Sequence, residues 1–275
     1  MRVLLTLVLA VLFSNSYSQY YFTDIVSIQN GNEQYRLLRS NKIRKIKATS
    51  YEADNSVTDG FLLEEEISPD GKKITLNTIT SGGKPAVTNR SYELSRLKKV
   101  QSSSNNIDSK TEYTYNDKGL LTRVLLTTTD TAMKYVSAEQ HDWIYNENGQ
   151  PVAMTKTKNG ADTTNIEFVR DEKGMVVEEN WKKKGRRIES YYYYYDAAGH
   201  LTDIVRYNSR LKKLVPDFQY EYDAAGHISQ MTQISLSNSN YIIWKYLYNE
   251  KGLKRSESGF DKEKKLVGRI EYSYE

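Results

Sequence analysis

Along most of this chain apolar and polar residues alternate at every second position, and a glycine breaks the alternation at regular intervals. The clearest runs end in a shared turn: Tyr115-Asn116-Asp117-Lys118-Gly119, Tyr145-Asn146-Glu147-Asn148-Gly149, Tyr195-Asp196-Ala197-Ala198-Gly199, Tyr222-Asp223-Ala224-Ala225-Gly226 and Tyr248-Asn249-Glu250-Lys251-Gly252. A weaker copy reads Arg170-Asp171-Glu172-Lys173-Gly174, and the six glycines fall 30, 25, 25, 27 and 26 residues apart. A fixed period in this range marks a repeat architecture.

Counting back from each glycine exposes columns. Position −6 holds Tyr113, Trp143, Phe168, Tyr193, Tyr220 and Tyr246; position −4 holds Tyr115, Tyr145, Arg170, Tyr195, Tyr222 and Tyr248; position −3 is always Asn or Asp. The −8 column (Thr111, His141, Ile166, Tyr191, Phe218, Trp244) extends the series. Positions two apart share one face of a strand, so the columns predict an amphipathic strand with an aromatic side. The Asn or Asp side chain can bond the backbone two residues on, and Gly accepts the left-handed conformation that closes a type I turn with a bulge. Looser turns around Asp130-Thr131, Asn159-Gly160, Lys184-Gly185, Ser209-Arg210 and Ser237-Asn238 return the chain. Each unit is then a two-stranded hairpin.

The segment 111–275 reads as these hairpin repeats, and 19–110 as degenerate copies continuous with them. In the latter, Ser68-Pro69-Asp70-Gly71 makes a tight turn, Tyr92 to Val100 holds a copy without its glycine, and Gln101 to Ser109 is a polar loop. Ile270, Tyr272 and Tyr274 continue the columns, and no sustained helical period follows residue 18. Open sheets rarely exceed about 10 strands without curling. The expected fold is therefore all-β, an elongated curled antiparallel sheet of tandem hairpins with the aromatic face as its core. In the run Tyr191 to Tyr195, alternation turns Tyr192 and Tyr194 to the outer face. That pair is the expected ligand contact.

Composition adds compartment. Arg2, the apolar run Val3 to Phe13 and Ser16-Tyr17-Ser18 predict a signal peptide over 1–18, cleaved before Gln19. The run is too short for a bilayer span, which needs about 20 residues, and no comparable run follows. The chain holds no cysteine, which excludes disulfides and thiolate metal sites and points to a bacterial exported protein of the periplasm, outer surface or extracellular space. Lys and Arg number 39 against 35 Asp and Glu, too balanced for a nucleic-acid binder. The densest basic run, Lys182-Lys183-Lys184-Gly185-Arg186-Arg187, falls in an expected loop and reads as solvated.

The motif Tyr-(Asp/Asn)-x-x-Gly-(His/Leu)-(Leu/Ile), carried best by Tyr195 to Thr202 and Tyr222 to Ser229, closely resembles the YD repeat of RHS-type proteins and teneurins. The resemblance covers about 111–275. It implies a β-sheet ribbon that spirals into a shell, a shell that in bacterial toxins encloses a C-terminal effector, and an association with carbohydrate binding. The repeats here are too few to enclose a cargo, and no separate toxin domain follows them.

Candidate chemistry dissolves into the repeat. His200 and His227 follow the turn glycine in equivalent copies and lack a third metal ligand; His141 reads as a strand residue. Asp196 and Asp223 could pair as glycosidase acids, but Asn replaces them in three copies, and an amide cannot serve as a catalytic acid. No P-loop, dinucleotide fingerprint, GxSxG or HExxH motif is present. Asp130-Thr131-Ala132 and Asp162-Thr163-Thr164 are similar to a short bacterial O-glycosylation signal. The expectation is an exported, non-catalytic binding or scaffold module for glycans or surface polymers, with no cofactor. Alternatives are an accessory or remnant of an RHS-type toxin system and a secreted glycan-active enzyme.

Overall fold

The computed structural model describes residues 19–275 except 81, 209–211 and 235–239. The signal-peptide reading of 1–18 and the turns at Ser209-Arg210 and Ser237-Asn238 therefore lie outside the described residues.

Eighteen antiparallel strands pair in sequence order, and the last returns to the first. Strand β1 (Lys45–Glu52) pairs with β18 (Leu266–Tyr274) from Ile46↔Tyr274 to Glu52↔Gly268. The sheet is a closed barrel, which corrects the expectation of an elongated curled sheet. Twist accumulated over many strands brings the two edges together, and closure satisfies the unpaired N–H and C=O rows that an open meander would leave. The same closure corrects the YD-repeat resemblance. The turn motif is retained, but the hairpins complete one circuit instead of advancing as a spiral ribbon.

The turn chemistry is as expected. Gly199 N donates to the Asp196 carbonyl at 3.1 Å, Asp196 N to the His200 carbonyl at 2.9 Å, and Gly199 has φ +89°. A register shift at Tyr194/Tyr195 marks the bulge, and equivalent shifts stand at Thr114/Tyr115, Ile144/Tyr145, Val169/Arg170, Glu221/Tyr222 and Leu247/Tyr248. Seven glycine turns of this kind, at Gly71, 119, 149, 174, 199, 226 and 252, all face one end of the barrel, hereafter the tight-turn end. The stretch Gln101 to Ser109 is not a loop. It forms the turn and the adjoining ends of β5 (Arg96–Ser104) and β6 (Ile107–Tyr115), with Asn105 at φ 54° in the turn.

The helical content was not expected. A π-helical turn, Tyr21–Val26, runs into α1 (Ser27–Ser40). This segment touches inward-facing residues of strands far apart around the wall, so it occupies the lumen as a plug. Toward the tight-turn end, Tyr35 stacks on Tyr92 at 3.8 Å between ring centroids and donates its hydroxyl to the Gly71 carbonyl, while Asn32 accepts from Leu97 N at 2.8 Å. Tyr35 and Leu38 pack with Ile46, Ile67, Ile74 and Leu253. Deeper in, Tyr20 and Ile25 join the −6 and −8 aromatics, including Trp143, Phe168, Tyr193 and Trp244, in the larger core.

Candidate functional site

The −4 tyrosines form a set of clasps. The hydroxyls of Tyr115, Tyr145, Tyr195, Tyr222, Tyr248 and Tyr274 donate to the carbonyls of Leu97, Leu121, Val176, Leu201, Ile228 and Lys254, at 2.6–2.9 Å. Each acceptor lies two residues past the preceding turn's closing residue. The column thus joins neighbouring strands where their backbone ladder has stopped.

A buried polar collar surrounds the inner end of the plug. Glu179, on β11 (Val176–Lys183), is fully buried. Its Oε1 accepts from Tyr20 N at 2.9 Å and Trp181 Nε1 at 2.6 Å, and its Oε2 from Tyr21 N at 3.0 Å and the Tyr193 hydroxyl at 2.5 Å. Burial pushes the Glu179 carboxyl up, and the four donors pull against it. Tyr20 stacks on Trp181, meets His141 edge-on and accepts from Lys156 Nζ at 2.6 Å. Asp24 of the plug bonds both His141 Nδ1 at 2.6 Å and Trp143 Nε1 at 3.1 Å, while His141 Nε2 reaches Glu139 at 3.1 Å. Burial alone would lower the His141 imidazole, but Asp24 and Glu139 override it and raise its pKa to about 9. Burial likewise pushes Glu139 up, yet His141 and Lys156 bring it down to about 2.

Gln19 Nε2 donates to Asp217 Oδ2 at 2.7 Å, and Arg206 Nε sits 3.0 Å from Asp217 Oδ1 as an ion pair. Burial raises Asp217 to about 6 against the pull of Arg206. These groups all have partners, and their arrangement holds the plug segment in place.

Two rungs of the outer wall are largely polar, while Val87, Val136, Ile144, Val169, Ile188 and Leu247 are exposed apolar side chains elsewhere on the strands. Register carries one rung through Thr114, Arg123, Asp142, Thr155, Asn165, Lys182 and Arg187. Another runs through Lys99, Glu112, Leu125, Gln140, Thr157 and Thr163. Arg123 Nε donates to Asp142 at 2.6 Å and Lys182 to Glu167 at 2.6 Å. A bilayer-spanning barrel instead carries an apolar outer band about 25 Å tall. Among the described residues no helix is long and apolar enough to cross a membrane.

Tyrosines gather on one part of the wall. Tyr192 and Tyr194, on β12 (Arg186–Tyr195), face outward opposite the buried Tyr191 and Tyr193, as the alternation requires. Tyr192 is in register with Glu178 and Val205, and Tyr194 with Asp203. On the next two strands Tyr207 pairs with Leu214; Tyr194, Tyr207 and Leu214 are 47, 49 and 46% exposed.

The other predicted positions resolve as structure. Asp196 and Asp223 cap their turns, each Oδ1 accepting two backbone N–H groups. His200 and His227 bond their own turn aspartates at 2.9 and 3.2 Å and stack on Tyr222 and Tyr248 at 4.6 Å. They are two separate copies of one arrangement. In the basic run, Lys182, Lys183 and Arg187 pair with Glu167, Asp162 and Glu178. Asp130 Oδ1 caps a turn by accepting from Ala132 N and Met133 N. Sequence reasoning missed the collar. His141 is the one residue of the −8 column that can carry a charge near neutral pH, and that was the collar's one visible signal.

No protein-family model and no curated protein matches the sequence. Among solved structures the chain is similar to a porin-like protein from Bacteroides uniformis, at 10% identity and TM-score 0.40 over 85% of this chain and 98% of that one. It is also similar to a porin-like protein from Bacteroides vulgatus, at 11% identity and TM-score 0.30 with the same coverage. A TcdB2-TccC3-Cdc42 structure is matched at 13% identity and TM-score 0.32 over 85% of this chain and 17% of that chain.

Proposed function

We propose that this protein is an exported, non-catalytic binding module of the bacterial envelope whose ligand is a glycan or surface polymer. The observation that carries the reading is the outward tyrosine group, half-buried Tyr192 with exposed Tyr194 and Tyr207, gathered on two neighbouring strands. Tyr192 and Tyr194 stand two residues apart on one strand face, roughly 6.6–6.8 Å along the strand. Flat rings at that spacing can stack on successive sugar faces while Glu178, Asp203 and Gln219 beside them offer hydrogen bonds.

Two further features support binding over transport. The lumen holds the plug and its aromatic core, and the polar outer rungs suit water better than lipid. The partners then approach from outside the wall.

The test is a glycan-array and polysaccharide pull-down with residues 19–275, wild type against the Tyr192→Ala/Tyr194→Ala double variant. Retention by at least one surface polysaccharide, lost in the variant, is expected. Equal retention by both proteins, or none by either across the array, removes the proposal.

A further inference from the structure

Arg170 stands where the other −4 positions carry a clasping tyrosine. The equivalent acceptor, two residues past Gly149, is the carbonyl of Pro151, and Arg170 makes no hydrogen bond to it. Its Nε and Nη2 are both buried without a partner, although the residue as a whole is partly exposed. These two atoms share one edge of the guanidinium, the edge whose parallel N–H groups match two oxygens of a carboxylate or phosphate. A guanidinium cannot shed its proton, so the edge stays charged, and an oxyanion would satisfy both of its N–H groups at once.

No side chain of this protein fills that role among the described residues. Arg170 takes part in no ion pair there. The adjacent carboxylate, Asp171, is used by its own turn, its Oδ1 accepting from Lys173 N at 3.0 Å and Met175 N at 2.9 Å. Tyr21 lies near enough to interact with the guanidinium, and burial raises its phenol, so it is not anionic at neutral pH. Burial accordingly lowers the Arg170 pKa, with the Tyr21 hydroxyl the one group that raises it.

A second donor is supplied by the repeat. In three units the residue after the turn's closing position packs on the −4 residue of the next unit: Arg96 over Tyr115, His200 on Tyr222 and His227 on Tyr248. Gln150 takes the equivalent place over the turn that follows Arg170, as Arg96, His200 and His227 do over Gly119, Gly226 and Gly252. Gln150 Nε2 lies over the Gly174 turn, 2.7 Å from where a Cβ would stand, and its Oε1 is taken by Asn146 Nδ2 at 3.0 Å. The donor end of the Gln150 amide therefore lies at the Gly174 turn, which follows Arg170 on the chain.

We propose that Arg170 and Gln150 form an oxyanion-binding site at the tight-turn end of the barrel, between β9 (Pro151–Lys158) and β10 (Asp162–Arg170). The ligand is a carboxylate or a phosphate group held bidentately by the Nε/Nη2 edge, closing the joint that the missing tyrosine leaves open. The site is independent of the outer tyrosine face, so either can fail without the other.

Thermal unfolding of residues 19–275 in formate, phosphate and chloride at equal ionic strength tests it, because a ligand that binds only the folded state raises Tm saturably. Formate and phosphate separate the carboxylate from the phosphate source, and chloride is the control. Wild type should gain Tm with one oxyanion beyond chloride, and Arg170→Met should lose that gain. Arg170→Tyr, which restores the clasp, should start from a higher Tm and show no oxyanion dependence. Gln150→Leu should weaken the anion by about tenfold while the fold is kept. An equal response in wild type and Arg170→Met, or no oxyanion response in wild type, overturns the proposal.

Discussion

The Tyr222 hydroxyl donates to the carbonyl of Leu201 at 2.7 Å, one strand away and just past the end of their ladder. The same bond recurs at Tyr115, Tyr145, Tyr195, Tyr248 and Tyr274. The aromatic column is therefore a hydrogen-bonding device as well as a core. Phenylalanine preserves the ring and deletes only the bond, so Tyr222→Phe should cost about 1 kcal/mol in urea unfolding, with an unchanged m-value. A neutral effect would assign the column to packing alone.

Glu179 should be the residue on which docking of the plug depends most. Glu179→Ala strands two plug N–H groups, an indole N–H and a phenol O–H in a buried site, a loss on the order of 3–5 kcal/mol. Hydrogen exchange at residues 20–26 should accelerate before the barrel strands do. Protection lost uniformly over the whole chain would mean that plug and barrel unfold as one unit.

The collar also sets a pH limit. His141 has its pKa raised from 6.5 to about 9, so the stability it contributes is full below pH 6.5 and is lost as pH rises through 9. The linked free energy is on the order of 3 kcal/mol at most, because Asp24 and Glu139 share it. Tm should fall between pH 7 and 10 in wild type, and the fall should shrink in His141→Gln. Parallel pH profiles for the two proteins would exclude His141 as the cause.

Gly259 is the register partner of Trp244 on the adjacent strand, and a Cβ there would lie 3.1 Å from the indole. The ring cannot retreat from a core in which it is 5% exposed. Gly259→Ala should destabilise by about 1–3 kcal/mol, and Gly259→Ala with Trp244→Phe by less than the sum of the two single changes.

The hairpins were legible because their signals are local: alternation, an Asx side chain, and a glycine at positive φ. Tyr192 and Tyr194 followed from period two alone. Closure was not legible, since the contact of β1 with β18 joins residues such as Thr49 and Glu271, which no short-range pattern relates. The plug was hidden for a different reason. Its buried face includes Asn32 along with Tyr35 and Leu38, so a polar residue occupies a core position and weakens the helical period. The collar depends on both. Asp24 meets His141 only after the chain has folded back into a barrel whose circumference the sequence does not state.

Closure is the claim on which the rest stands, and a single engineered cross-link reads it. Thr49 and Glu271 are direct partners on the outer wall, and the chain has no cysteine of its own. In Thr49→Cys/Glu271→Cys, mild oxidation should give a quantitative intrachain disulfide in the folded monomer, because partnered Cα atoms in a sheet lie within about 4.5–5.5 Å. An open or spiral sheet would hold these residues at opposite edges, and would yield free thiols or intermolecular dimers instead.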